Sequence, residues 1–251
     1  MAKVKLLPKV KLKHLEIVSR LNPDYSKVMT EVVGYKNNWI SRKWRFIKDF
    51  KTAFVLTNEV RNIDPSQLQW KESCPIKKPK DIDFISFRAM MELQALLGVE
   101  RSESEMLDVI SSVIATACYS SNNEGDFDSE SKQYQQFLHQ ILNHSFVEMF
   151  GLYNWIMQDL QRSTDQWNER FFSVELVDKD YEQAGGSRMG QFNIISSIKS
   201  ICSDFNIPFE AAWQMSYNLI QTNSYAKATQ NHIQDNMRIL KESRMRESRR
   251  S

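Results

Sequence analysis

The 251-residue chain is 41% hydrophobic and carries six tryptophans, enough to bury a substantial core without staples. Its net charge of +2 hides a strong asymmetry: residues 1–50 hold twelve Lys and Arg against four Asp and Glu, residues 238–251 hold six against two, and the middle therefore sums to −10. Three widely spaced cysteines with no Cys-x-x-Cys spacing argue against a disulfide framework, and no apolar run approaches the ~18 residues of a membrane span.

The N-terminus alternates lysine with apolar residues and never builds the apolar stretch of a secretory signal. Val4, Leu6, Val10 and Leu12 have the period of two expected of an edge strand or extended arm. Lysines along it either blunt an edge or lie along phosphates. Candidate nucleic-acid contacts are Lys3, Lys5, Lys9, Lys11 and Lys13, with Arg42, Lys43 and Arg45 from a second stretch that interleaves basic residues with Trp39, Trp44 and Phe46. That second stretch reads more readily as an amphipathic element with lysine stems on its flank.

Residues 1–60 are thus read as a basic arm with an aromatic segment, and residues 61–80, with three prolines and four lysines, as an irregular linker. A helical body is expected over residues 81–205. Asp81 is placed to cap its first helix and Gly98 to close it in the left-handed conformation. Ser102 and Glu105 form a capping box before a helix that is apolar nearly all round at residues 113–117, and so should be central. The acidic, turn-rich stretch 120–130 reads as a mobile loop. Helices follow through Tyr134 to Leu142 and Phe146 to Leu160, with Gly151 a weak point in the second; a short strand-like run comes after Phe171. The pattern Phe192, Ile195, Ile198 and Ile201 predicts one more helix.

Residues 206–251 hold no glycine and, after Pro208, no proline, which predicts one unbroken helix of roughly 60 Å to Glu247. Its second half carries a thin stripe of Ala226, Ile233, Met237 and Leu240 and ends in a basic tip. The candidate partner-binding residues are Tyr225, Ile233, Met237, Leu240, Arg244, Arg246, Arg249 and Arg250. The fold expected is mainly α, a multi-helix bundle with an extended basic N-terminal arm and a long C-terminal helix.

Catalytic patterns are missing. His139 and His144 are five apart, about 140° around a helix, and no His-Glu-x-x-His or Gly-x-Ser-x-Gly occurs. Asp126, Asp128 and Glu130 alternate as in a calcium loop but lack its glycine and closing glutamate. Gly185 to Gly190 has phosphate-loop spacing but runs on into Gln191-Phe192 where Lys and Ser or Thr are required. No catalytic residue, metal ligand or cofactor is assigned, and the expectation is a protein that is not an enzyme.

The run Ala184-Gly-Gly-Ser-Arg-Met-Gly-Gln-Phe192, followed by Phe205-Asn-Ile-Pro-Phe-Glu-Ala-Ala-Trp-Gln-Met-Ser-Tyr217 and a polar helix, resembles helical virion or assembly proteins of tailed bacteriophages, in particular those of the crAss-like group. The resemblance covers about a quarter of the chain. It implies a virion structural protein assembled in the bacterial cytoplasm, a head-to-tail connector or ring protein next to the portal. The partners implied are further copies in a ring, portal or tail proteins, and DNA at the basic ends, with no membrane. Two alternatives stay open: a cytoplasmic nucleic-acid-binding protein using the basic arm, and a tail-assembly chaperone.

Overall fold

The computed structural model describes residues 10–14, 60, 63–99, 105–172 and 193–248. Most of the basic arm, the Trp39–Arg45 stretch, Ser102 and the Gly185–Gly190 turn lie outside them. Among the described residues the chain is mainly helical, with seven α-helices and no strand beyond isolated bridges. These are α1 (Phe87–Leu97), α2 (Met106–Asn122), α3 (Lys132–Leu142), α4 (Phe146–Phe172), α5 (Asn193–Phe205), α6 (Phe209–Gln214) and α7 (Tyr217–Ser248). Contacts divide the chain into two units, one of residues 1–80 and 91–158, the other of 81–90 and 159–251.

In the first unit α2 is central, as its all-round apolar sequence requires: Val113, Ile114, Ala115, Ala117 and Cys118 are buried on every side. Helix α3 is capped by Ser131, whose hydroxyl accepts from the Tyr134 amide, and it buries Tyr134, Phe137 and Ile141. The acidic stretch is anchored where the sequence suggested mobility. Phe127 is only 1% exposed and meets Tyr119 and Tyr134 edge-on at 5.7 Å, so burial of one aromatic ring, worth about 1.5–3 kcal/mol, ties the loop down. Gly125 supplies the one left-handed glycine turn among the described residues, at φ 94°; Gly98 ends α1 without that conformation.

Residues 63–80 are irregular, with a single 3-10 turn at Pro65–Gln67. They are nevertheless pinned. Asn154 Nδ2 donates to the carbonyls of Pro65 (2.7 Å) and Leu68 (2.8 Å), and the Asn122 side chain exchanges two hydrogen bonds with the Lys77 backbone. Lys78 Nζ lies 3.9 Å from the Trp155 ring centroid and 4.7 Å from that of Trp70. A Cβ on Gly151 would sit 2.4 Å from the Gln69 carbonyl oxygen, so this glycine is required for close approach and is no mere weak point in α4. Burial alternates at Val10–His14, with Val10 and Leu12 buried and Lys11 and Lys13 exposed, and two backbone hydrogen bonds of 2.9 Å tie Leu12 to His144 and Phe146 to Val10, but Leu12–His14 is a 3-10 turn where a strand or extended arm was expected.

In the second unit, Asp81 caps a 3-10 turn, Ile82–Phe84, and the helix itself starts later, at Phe87, with Ser86 Oγ accepting from the Ala89 amide. Arg162 bonds both Asp81 (2.9 Å) and Asp159 (2.8 Å), while Asp159 also accepts from the Ile82 amide. Buried Asp83 accepts from the buried Ser163 hydroxyl. Asp83 and Ser163 thus satisfy each other, which is what their burial demands.

The terminal segment departs from the single helix expected. Met215 is extended (φ −64°, ψ 151°), separating α6 from α7. The break is compensated across an antiparallel bridge of Ser86 with Ser216: the Phe87 amide donates to Met215 O (2.8 Å) and the Tyr217 amide to Ile85 O (2.9 Å). Ser216 then caps α7, accepting from the Leu219 amide. Aromatic packing of Phe87 with Trp213 (5.4 Å) and Tyr217 (6.2 Å) fixes the corner. Helix α5 buries Ile198 and Ile201 but leaves Ile195 55% exposed, and it ends in left-handed Asn206 (φ 50°).

Candidate functional site

Helix α7 has 32 residues and two unlike halves. The first half is anchored. Ile220 is buried, Tyr225 meets the edge of Phe171 at 5.9 Å, and Lys227 Nζ sits 2.6 Å from the Asp204 carboxylate, which also accepts from Asn223. These hydrogen bonds, that from Lys227 first, hold the Asp204 carboxyl below its ordinary pKa.

The second half is open. Ile233, Met237 and Leu240 are 53, 51 and 56% exposed, and at 100° per residue they fall within about 60° of one another. Arg244 lies on the same face, exposed. The structure thus brings four of the predicted partner-binding residues together. Tyr225 lies apart from that face, against Phe171. Arg246 belongs to α7 but its side chain is outside the described residues, as are Arg249 and Arg250. Arg238 pairs with Asp235 at 3.5 Å in an exposed i,i+3 contact, a kind that contributes little.

One residue of this face escaped the sequence reading. Leu219, 41% exposed, precedes Ala226, Ile233 and Leu240 at intervals of seven. A search for period 3.5 in place of 3.6 would have found it.

A cleft of 470 Å³ lies beside the anchored half, lined by Phe171, Ser196, Ser200, Ser224, Lys227 and Asn231 among others. Lys227 Nζ is 2.5 Å from Ser200 Oγ, the geometry of a serine–lysine pair. The ammonium is also paired with Asp204, so it donates to Ser200 and offers no free amine to take the hydroxyl proton. Among the described residues no group of three His, Cys, Asp or Glu side chains could hold a metal ion, and no helix is long and apolar enough to cross a membrane. Burial raises the pKa of both Cys74 and Cys118, leaving them as unreactive thiols.

Of the candidate nucleic-acid contacts, Lys11 and Lys13 are exposed beside buried Val10 and Leu12; Lys3, Lys5, Lys9, Arg42, Lys43 and Arg45 lie outside the described residues. Comparison with models of protein families, with curated proteins and with solved structures returns no match for this chain.

Proposed function

We propose that the protein is a non-enzymatic structural or assembly component that engages other proteins through the outer half of α7. In its most specific form this is a subunit of a tailed-phage virion, a head-to-tail connector or ring protein beside the portal. The observation that carries the docking reading is the exposed stripe of Ile233, Met237 and Leu240 on a helix whose first half is anchored. A surface helix ordinarily turns its apolar side toward a neighbour, and this one presents three large apolar side chains to water. The phage assignment rests on the resemblance of residues 184–192 and 205–217.

The test is the protein content of purified particles. A virion component co-purifies with mature particles at fixed stoichiometry, and deletion of residues 238–251 abolishes its incorporation. Presence only in assembling cells, and absence from finished particles, would favour a tail-assembly chaperone. Unchanged incorporation after the deletion would reject docking through α7.

The exposed Lys11 and Lys13 favour a second reading, nucleic-acid binding through the basic arm. It predicts affinity that falls steeply with salt as neutralised phosphates release counterions, and that drops when both lysines become alanine. No binding at low salt would reject it.

A further inference from the structure

The cleft beside the anchored half of α7 has a volume of 470 Å³, within the roughly 300–1,000 Å³ of small-molecule sites. Every described residue lining it belongs to the second unit. Its deep side is apolar, with Ile220 and Phe87 buried and Phe171 half-buried. Two polar walls flank that floor, Ser196 and Ser197 on α5, Ser224 and Asn231 on α7. Ser224 and Asn231 share one face of α7, about 10 Å apart at 1.5 Å per residue.

We propose that this cleft binds an uncharged sugar ring. The site goes beyond docking by the outer half of α7 and does not rest on it. Three observations carry it. The first is that the wall groups are free. Elsewhere in the helices such side chains turn back onto their own backbone: Ser111 bonds the Asp108 carbonyl (3.1 Å), Thr164 that of Leu160 (2.9 Å), Thr229 that of Tyr225 (2.9 Å) and Asn143 that of His139 (2.8 Å). Ser196, Ser197, Ser224 and Asn231 do not, and no hydrogen bond joins their side chains to another described residue. The oxygens of half-buried Ser197 and Ser224 are not sealed from solvent either. Reachable, unpaired groups thus face each other across one cleft.

The second observation is charge. Lys227 is the one charged side chain among the described lining residues, and its ammonium is already paired with Asp204 (2.6 Å) and Ser200 (2.5 Å). An anion would find no uncompensated cation there, and an organic cation no lining carboxylate, so neither would recover the hydration lost on entry. A neutral ligand suffers no such loss.

The third is the match of functional groups. Hydroxyls and a carboxamide donate and accept alike. Sugar hydroxyls do the same, and because they lie all round the ring they serve both walls at once. The C–H face of the ring then covers Ile220 and Phe171. A wholly apolar ligand would leave the wall groups buried and unpaired.

The experiment is saturation-transfer NMR on the full chain with D-glucose, D-galactose and N-acetyl-D-glucosamine. At least one is expected to receive saturation at its ring protons, with a dissociation constant that rises about fivefold in Ser224→Ala and again in Asn231→Ala, the effect of losing one hydrogen bond. Alanine suits a helix at both positions, so these variants keep the fold. Lys241→Ala, on the outer half, should leave the constant unchanged. No transfer to any of the three sugars, or transfer indifferent to Ser224→Ala and Asn231→Ala, would overturn the site. Inorganic phosphate displacing the sugar at equal concentration would overturn the uncharged class of ligand. Either result leaves docking by the outer half of α7 as it stands.

Discussion

The strap of residues 63–80 and the outer half of α7 are opposites. The strap has no regular structure to satisfy its backbone, yet side chains hold it: Asn154 and Asn122 reach its carbonyls, Lys78 sits between two indoles, and Gly151 makes room for it. The outer half of α7 satisfies its own backbone as a helix, and its apolar side chains touch little else; Ile233, Ile239, Leu240 and Met245 are all more than half exposed. Regularity is therefore a poor guide to which segment is internally committed. What distinguishes the two is where side chains find partners.

Substitutions break or sharpen this contrast. The largest effect belongs to the committed side. Phe127→Ala removes a ring from the cluster with Tyr119 and Tyr134, and chemical denaturation should show a loss of about 3–5 kcal/mol. Gly151→Ala gains helix propensity but drives a methyl into the Gln69 carbonyl, for a net loss of about 1–3 kcal/mol by the same assay.

These two positions show what sequence reading reaches and what it misses. Helix α2 was legible because apolar residues on all sides of a helix demand burial, and α3 because Ser131 precedes a clean stripe of Tyr134, Phe137 and Ile141. Gly151 was misread because its role depends on Gln69, remote in the chain, and the loop holding Phe127 because its anchoring depends on ring packing with Tyr119 and Tyr134 that turn-rich composition does not show. The break at Met215 was hidden for the same reason: Ser216 is a good cap, but only the bridge to Ser86 makes extended backbone there favourable. On the site, Ile233, Met237, Leu240 and Arg244 were legible from helical spacing, whereas Tyr225 turned out to pack on Phe171 and Leu219 needed the period of seven.

A smaller effect marks where anchoring of α7 ends. The Asp204 carboxyl titrates below its ordinary value of 3.8 because Lys227 and Asn223 bond its charged form. Its contribution is therefore present above that value and is lost as pH falls through the depressed one. Asp204→Asn should lower the melting temperature slightly at neutral pH, leave it little changed below the depressed value, and so flatten the acid limb of a stability–pH curve measured by thermal melting. Smallest of all, Ile233→Ala with Leu240→Ala should shift the stability of the dilute monomer by no more than about 0.5 kcal/mol, since neither side chain is buried there. A larger loss would mean that Ile233 and Leu240 are covered within one chain.

The most direct test of the central claim, an internally closed body and an open terminal helix, is native-state hydrogen exchange resolved by segment on the dilute protein. The account predicts that residues 236–248 exchange rapidly while α2 stays protected. Protection of residues 236–248 equal to that of α2 would contradict it.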